Sequence, residues 1–387
     1  MDAVSATVVC ACAYAVLLAL RSASAWRELR RQRARPVPSS ARRMEDVAVL
    51  QPILGGDPRL GEVLGETLRA LPQARFHWLL DADDAHAHAA VAAVRAAQPG
   101  AAIDVCVLPP APDGCNPKTF KLEAALPWVE APVCLVLDDD ATLSADALAR
   151  LVAALDTADL ATALPGYRDD GERWPGRLLA RFVNDNAALT YLAPLAWAPP
   201  VSINGMCYVL RTERLRAIGG FSPLRHALAD DLAMADHVRA HGGRIAQTIA
   251  PVVVRTSLDG AAHYVRQMHR WMLFATLLLR RQPPCTRAAI VLLQGLPPLL
   301  LWAMLMALAW RPELAGAGAV AGVLALRAWA PWALQRALGV SSATRPLLSL
   351  LAELAQPLHL LHATCVRTVR WRSRRYRVQA DGRFHAA

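Results

Sequence analysis

Lysine is nearly missing from this 387-residue chain: of 42 basic residues two are lysine, Lys118 and Lys121, and the other forty are arginine. A coding bias accounts for the arginines. Two lysines kept in one short segment point either to chance or to a local need for a compact ammonium, set against phosphate or a carboxylate. Charge is also scarce, at 19% against 55% hydrophobic residues. The apolar excess is concentrated at the two ends, which excludes one evenly soluble domain. The eight cysteines contain no CxxC pair, and Cys10 and Cys12 lie in an apolar run, so neither a zinc site nor a disulfide framework is indicated. They read as reduced thiols. No internal repeat is evident.

No positive charge precedes the apolar run at residues 3–20; the arginines come after it. A cleaved signal peptide has the opposite order, so this run is expected to be a retained membrane anchor with its N-terminus outside. Eight arginines lie between Arg21 and Arg43 and seven between Arg367 and Arg383, each group beside an apolar segment. The net charge of +10 is therefore a topology signal, and no nucleic-acid partner is expected. Near the C-terminus, 288–310 is almost wholly apolar, 314–334 nearly so with Arg327 inside, and 347–366 is mixed, with Glu353 and two histidines. If the central domain and the basic tail share the cytoplasm, the intervening spans must be even in number. Two spans and an interfacial helix are expected. The expected organisation is an anchor (1–22), a basic juxtamembrane linker (23–45), a cytoplasmic domain (46–285), transmembrane and interfacial helices (286–366) and a basic cytoplasmic tail (367–387). A multi-pass protein of the cytoplasmic (inner) membrane follows.

Within the central region, short apolar runs alternate with helical patterns. Strands are expected at Val47–Leu50, Phe76–Leu80, Ile103–Leu108 and Val133–Leu137, and helices near 58–71, 85–97, 118–126 and 144–155. Alternation of this kind predicts an α/β domain with a mostly parallel sheet, whose ligands bind beyond the C-terminal strand ends. The acidic motifs fall at those ends. Asp138, Asp139 and Asp140 follow the apolar strand VCLVL, where clustered carboxylates call for a cation such as Mg²⁺ or Mn²⁺ unless they merely cap the next helix. Asp81, Asp83 and Asp84 follow FHWLL, where a carboxylate accepts hydrogen bonds from a base or ribose, or else sits in a solvated turn. Asp230 and Asp231 open a helical pattern. Its dipole alone would explain both, while the chemical reading makes one of them a base that deprotonates an acceptor hydroxyl. Gln267, Arg270 and Trp271 precede the first C-terminal span, as an anchor or as a wall of the site.

Taken in order, these motifs resemble family 2-type glycosyltransferases, and most closely the ceramide glucosyltransferase branch with its bacterial relatives, including those of hopanoid lipid synthesis, over about residues 46–380. GCNPKTFKL (from Gly114) is similar to that branch's glycine-asparagine-proline-lysine segment. Ile203-Asn204-Gly205-Met206-Cys207 with Gly219-Gly220-Phe221 resembles the segment lining donor and acceptor, Gln267, Arg270 and Trp271 its QxxRW motif, and WRSRRYRV (from Trp371) its basic tail. The chain departs from the pattern at Ala70-Leu71-Pro72-Gln73-Ala74, where an aromatic, cysteine-containing turn is usual, and in its full Asp-Asp-Asp triplet.

The resemblance implies a GT-A-type nucleotide-sugar-binding domain and inverting transfer from a UDP-sugar to a lipid hydroxyl of ceramide or hopanoid type. It makes Asp138 and Asp140 the ligands of Mg²⁺ or Mn²⁺. Asp81, Asp83, Asp84, Lys118, Asp138, Asp139 and Gly205 would contact the nucleotide-sugar. Asp231, beside Asp230, would be the catalytic base, with Gln267, Arg270 and Trp271 completing the site. Two rival readings are a polysaccharide synthase-like transferase, disfavoured by the few spans, and a non-catalytic nucleotide-binding membrane protein. A metal-dependent phosphodiesterase would need histidine ligands, and the nearest, His86 and His88, lie in an Ala-rich helix that reads as scaffold.

Overall fold

A computed structural model describes residues 3–340, 343–371, 374–378 and 384–386. Helix α1 (Ala3–Arg33) comes first. The expected alternation follows: β1 (Val47–Pro52), α2 (Leu60–Ala70), β2 (Arg75–Asp81), α3 (Ala85–Ala97), β3 (Ile103–Leu108), α4 (Pro117–Ala125) and β4 (Val133–Leu137). Next come β5 (Ala141–Leu143), α5 (Ala145–Ala154), β6 (Leu160–Tyr167), α6 (Trp174–Ala187), β7 (Cys207–Arg211), α7 (Thr212–Ala217), α8 (Asp230–Ala240) and β8 (Ile245–Val254). The chain ends with α9 (Ala261–Arg281), α10 (Pro284–Ile290), α11 (Leu296–Trp310), α12 (Leu314–Leu338), α13 (Pro346–Cys365), β9 (Thr368–Trp371), β10 (Arg374–Val378) and β11 (Phe384–Ala386).

Two compact units result. One comprises 1–31, 169–198 and 258–367, the other 32–168, 199–257 and 368–387. The second unit is built on an eight-stranded sheet in the order β3-β2-β1-β4-β7-β6-β8-β5. Strands β3, β2, β1 and β4 run parallel, as do β6 and β8. Strand β7 is antiparallel to both its neighbours, and β5 to β8. Every residue of β1 and β4 is buried, as expected of central strands covered on both faces. The polar Gln51 at the end of β1 is fully buried because both ends of its amide are used. Its Oε1 accepts from Trp78 Nε1 at 2.9 Å, and its Nε2 donates to the Asp138 carbonyl at 3.2 Å. One core cluster joins Leu50, Leu79, Leu122, Val136, Tyr208, Phe221 and Met234, so the helices bearing Lys118 and Asp231 rest on the same apolar layer as the strands.

Strands β9 to β11 form a separate three-stranded antiparallel sheet, although a plain basic tail was expected there. Val369, Tyr376, Val378 and Phe384 are buried, with Arg377 exposed between two of them, so the alternation sorts apolar from charged faces. Arg372 and Ser373 of the WRSRRYRV segment lie outside the described residues.

The other unit is helical. Three of its helices are long and apolar enough to cross a membrane: Ala6–Arg33, Pro284–Trp310 and Leu314–Leu338. The first runs well past the expected anchor boundary at residue 22, because no glycine or proline interrupts the chain before Pro36. In the second, a π-helical turn at Val291–Gly295 precedes Pro297 and Pro298, whose rings cannot take the preceding carbonyls as hydrogen-bond partners. Helix α13 is not among the three. Arg327 of α12 is neutralised in place: it bonds Glu353 and Ser349 of α13, while Tyr14 of α1 donates to Glu353 at 2.9 Å. A buried arginine is tolerated when it is paired in this way.

Candidate active site

The loop after β1 organises both acidic groups. The Leu54 N–H donates to Asp139 Oδ2 at 2.6 Å and the Gly55 N–H to Asp84 Oδ2 at 2.7 Å, while the Ile53 carbonyl accepts from Lys121 Nζ at 3.0 Å. A Cβ on Gly55 would meet Asp84 Oδ1 at 2.5 Å and the Ala87 nitrogen at 2.6 Å, so the close approach requires glycine. Sequence reasoning missed this loop because its contacts are made by backbone groups. Gly55-Gly56 directly after a strand was the available signal.

At the end of β2, Asp81 is paired with Lys121 at 2.9 Å, the lysine side chain being 2% exposed. One oxygen of Asp81, Oδ1, is buried without a hydrogen-bond partner. Asp84 caps α3, accepting from the Ala87 N–H at 2.9 Å, so both its oxygens are committed to the protein. Asp83 is exposed.

Asn116 caps α4 through the Lys118 and Thr119 N–H groups, and its amide donates to the Ala227 carbonyl at 2.9 Å. Pro117 occupies the first turn. This start aims Lys118 across the ends of β4 and α8. Its Nζ lies 2.6 Å from Asp138 Oδ1, 2.7 Å from the Gly205 carbonyl and 3.3 Å from Asp230 Oδ2, the last an ion pair outside hydrogen-bond geometry. Three N–H donors thus face three protein acceptors. Burial opposes the charge on Lys118, but Asp138 and Asp230 together outweigh it and hold the ammonium well above the usual lysine range.

Gly205 is needed for a second close approach, since a Cβ there would lie 2.9 Å from the Cβ of Asp231. Asp231 accepts from the Leu232 N–H at 2.7 Å. Burial, then the neighbouring Asp230 carboxylate, pushes it up to about 7 despite that bond. Asp140 is likewise pushed up to about 7, by burial and by Asp138 and Asp139, although Thr256 Oγ1 donates to it. The Arg255 N–H donates to the Asp140 carbonyl at 2.8 Å, and its guanidinium pairs with Glu62 and, at 3.6 Å, with Glu66. A cavity of about 130 Å³ lies between the β1 loop and the triplet, lined by Leu54, Gly55, Asp57, Leu60, Val63, Asp139, Asp140 and Arg255.

The carboxylates suit a divalent cation. Among the described residues, Asp138 Oδ2 and Asp140 Oδ1 make no hydrogen bond, and the mutual repulsion that raises Asp140 is what a cation relieves. No group of three or more His, Cys, Asp or Glu there is arranged to hold a metal. Two carboxylates completed by diphosphate oxygens is the usual habit of Mg²⁺.

Gln267, Arg270 and Trp271 lie on α9, in the other compact unit. Trp271 stacks on Phe182 of α6 with ring centroids 6.1 Å apart. Phe221, expected to line the site, is instead fully buried in the core, its N–H bonded to Glu123 at 2.7 Å. Its apolar ring packs better there than beside carboxylates.

The family model for glycosyl transferase family 21 matches residues 4–384. No curated protein matches the sequence. Among solved structures, the mannosyltransferase PcManGT from Pyrobaculum calidifontis, in complex with GDP-Man and Mn²⁺, is similar with a TM-score of 0.51 and 17% identity, over 91% of this chain and 99% of that one. TarS 1-349 from S. aureus, in complex with UDP-GlcNAc, has a TM-score of 0.38 and 12% identity over 88% and 99% of the two chains. Glucosyl-3-phosphoglycerate synthase from Mycobacterium tuberculosis, in complex with Mn²⁺, UDP and glucosyl-3-phosphoglycerate, gives 0.37 and 16% over 62% and 84%. The first likeness establishes a shared fold, the GT-A-type sheet.

Proposed function

The chain belongs to glycosyl transferase family 21, and from that premise we propose that it moves a sugar from a UDP-sugar to the hydroxyl of a membrane lipid, inverting the anomeric carbon. What supports this reading is the arrangement around Lys118, which ties the acidic triplet to the start of α8 and so brings a charge-deficient carboxylate pair beside a carboxyl poised near neutrality. Asp231 takes the proton from the acceptor hydroxyl as its oxygen bonds to the anomeric carbon. The bond from that carbon to the diphosphate breaks, and UDP leaves with the electron pair. Lys118 positions Asp138 and Asp230, with two of its donors taken by Asp138 and the Gly205 carbonyl. Asp81 and the β1 loop hold the nucleoside. Asp138 and Asp140 would hold a divalent cation, which would supply the remaining neutralisation of the diphosphate.

A lipid acceptor accords with three helices able to cross a membrane. We read residues 46–285 as the catalytic domain, facing the cytoplasm from the inner membrane, with an anchor at 1–22 and spans within 286–366. The test is UDP release by the detergent-purified protein across UDP-sugars and lipid acceptors, with Mn²⁺ or Mg²⁺ and then EDTA. Release that requires both a lipid and the metal supports the reading. Release by no combination, with folded protein still binding UDP, contradicts it.

A further inference from the structure

The segment that follows β8 reaches two loops of the site. Strand β8 runs antiparallel to β5 with Val254 opposite Ala141, so the residues just beyond them, Arg255 and Asp140, continue the ladder: the Arg255 N–H donates to the Asp140 carbonyl at 2.8 Å. That register delivers Thr256 to the side chain of Asp140, where Thr256 Oγ1 donates to Oδ2 at 2.5 Å. The next residue turns to the β1 loop. The Ser257 N–H donates to Asp57 Oδ2 at 3.1 Å, while Asp57 Oδ1 accepts from the Arg59 N–H at 2.8 Å. Asp57, Asp140 and Arg255 all line the cavity beside the triplet, so three consecutive residues fasten two of its walls.

The two outer carboxylates of the triplet are treated alike. Asp138 Oδ1 is held by Lys118 Nζ at 2.6 Å and Asp140 Oδ2 by Thr256, and in each the second oxygen makes no hydrogen bond among the described residues. Asp139 differs, since its Oδ2 accepts from the Leu54 N–H of the β1 loop. A carboxylate fixed through one oxygen presents the other in a set direction, as a ligand for Mg²⁺ or Mn²⁺ requires. The anchors differ in charge. A hydroxyl orients a carboxylate without neutralising it, so the charge of Asp140 stays available to a cation.

We infer that Thr256 is a positioning residue: its hydroxyl holds Asp140 Oδ2 so that Oδ1 is presented to the divalent cation. This rests on the reading of Asp138 and Asp140 as the ligands of that cation. The hydroxyl carries the role, and the methyl group of Thr256 is dispensable to it.

The experiment measures Mn²⁺ affinity from the electron paramagnetic resonance signal of the free ion, on the full-length protein in detergent with UDP present. Two pairs isolate the hydroxyl: wild type against Thr256→Val, and Thr256→Ser against Thr256→Ala. Melting temperature without metal is the control for folding, and if Thr256→Val melts early the serine and alanine pair decides. In each pair, loss of the hydroxyl is expected to weaken Mn²⁺ binding about tenfold, with Thr256→Ser staying within about threefold of wild type. If Thr256→Ser binds Mn²⁺ no better than Thr256→Ala, or if Thr256→Val keeps the wild-type affinity, the inference falls alone. If wild type binds no Mn²⁺ in the presence of UDP, it falls together with the metal reading it rests on.

Discussion

Two carboxylate groups stand at the ends of β2 and β4, the strands on either side of β1, and they are held in different ways. At the end of β2, Asp81 has a buried lysine to itself and Asp84 spends both oxygens on backbone amides, so the charge is locally compensated. At the end of β4, Asp138 shares one ammonium with Asp230, and Asp140 is pushed up to about 7 by burial and then by the carboxylates of Asp138 and Asp139. In the first group the charge is paired, and one acceptor, Asp81 Oδ1, is left over. The second keeps repulsion between its own carboxylates, which a divalent cation with a diphosphate would relieve. Similar acidic patterns in sequence therefore separate into a locally paired group and a mutually repelling cluster once their partners are counted.

The contrast is broken most severely at the triplet. Asp140→Asn is expected to lower transfer about a thousandfold, roughly 4 kcal/mol of transition-state stabilisation, and EDTA on the wild type should do the same reversibly; initial rates during Mn²⁺ titration check both. Next comes pH. Because burial and Asp230 raise Asp231 to about 7, its basic form is lost on acidification, and kcat/KM should fall about tenfold per unit below that point. A base at the ordinary carboxylate value near 4 would leave the profile flat down to about pH 5. At the compensated group the penalty moves from rate to stability. Lys121→Met strands Asp81 in the interior and should cost about 3 kcal/mol in denaturant unfolding. Smaller still, Asp84→Ala removes a helix cap and should cost about 1 kcal/mol, whereas Asp83→Asn, on an exposed side chain, should stay within about 0.5 kcal/mol.

The sequence was legible where local rules suffice. Strands β1 to β4 and their helices follow from apolar runs of the right length, and Asn116-Pro117 announces the helix that carries Lys118. Strands β6 and β8 were not legible, because Pro165, Gly166 and Pro251 interrupt them, and the pairing of β6 slips between Thr162 and Leu164. The same limit applied at the site. The triplet, Lys118 and Asp231 were visible as residue types, but the Ile53–Gly55 loop acts through amides and a carbonyl that no side chain reveals. The role of Lys121 emerged only when β2 and α4 came together. Thr256 and Arg255 reach Asp140 from far along the chain, after β8 folds back beside β5.

The central claim is that Asp231 is the base of a transferase whose donor site is built independently of it. Asp231→Asn, nearly isosteric, isolates that claim when turnover and UDP-sugar affinity are measured on the same preparation. The account predicts a kcat about a thousandfold below wild type, with donor Kd within about threefold. Turnover within tenfold of wild type, or loss of donor binding in step with turnover, would contradict it.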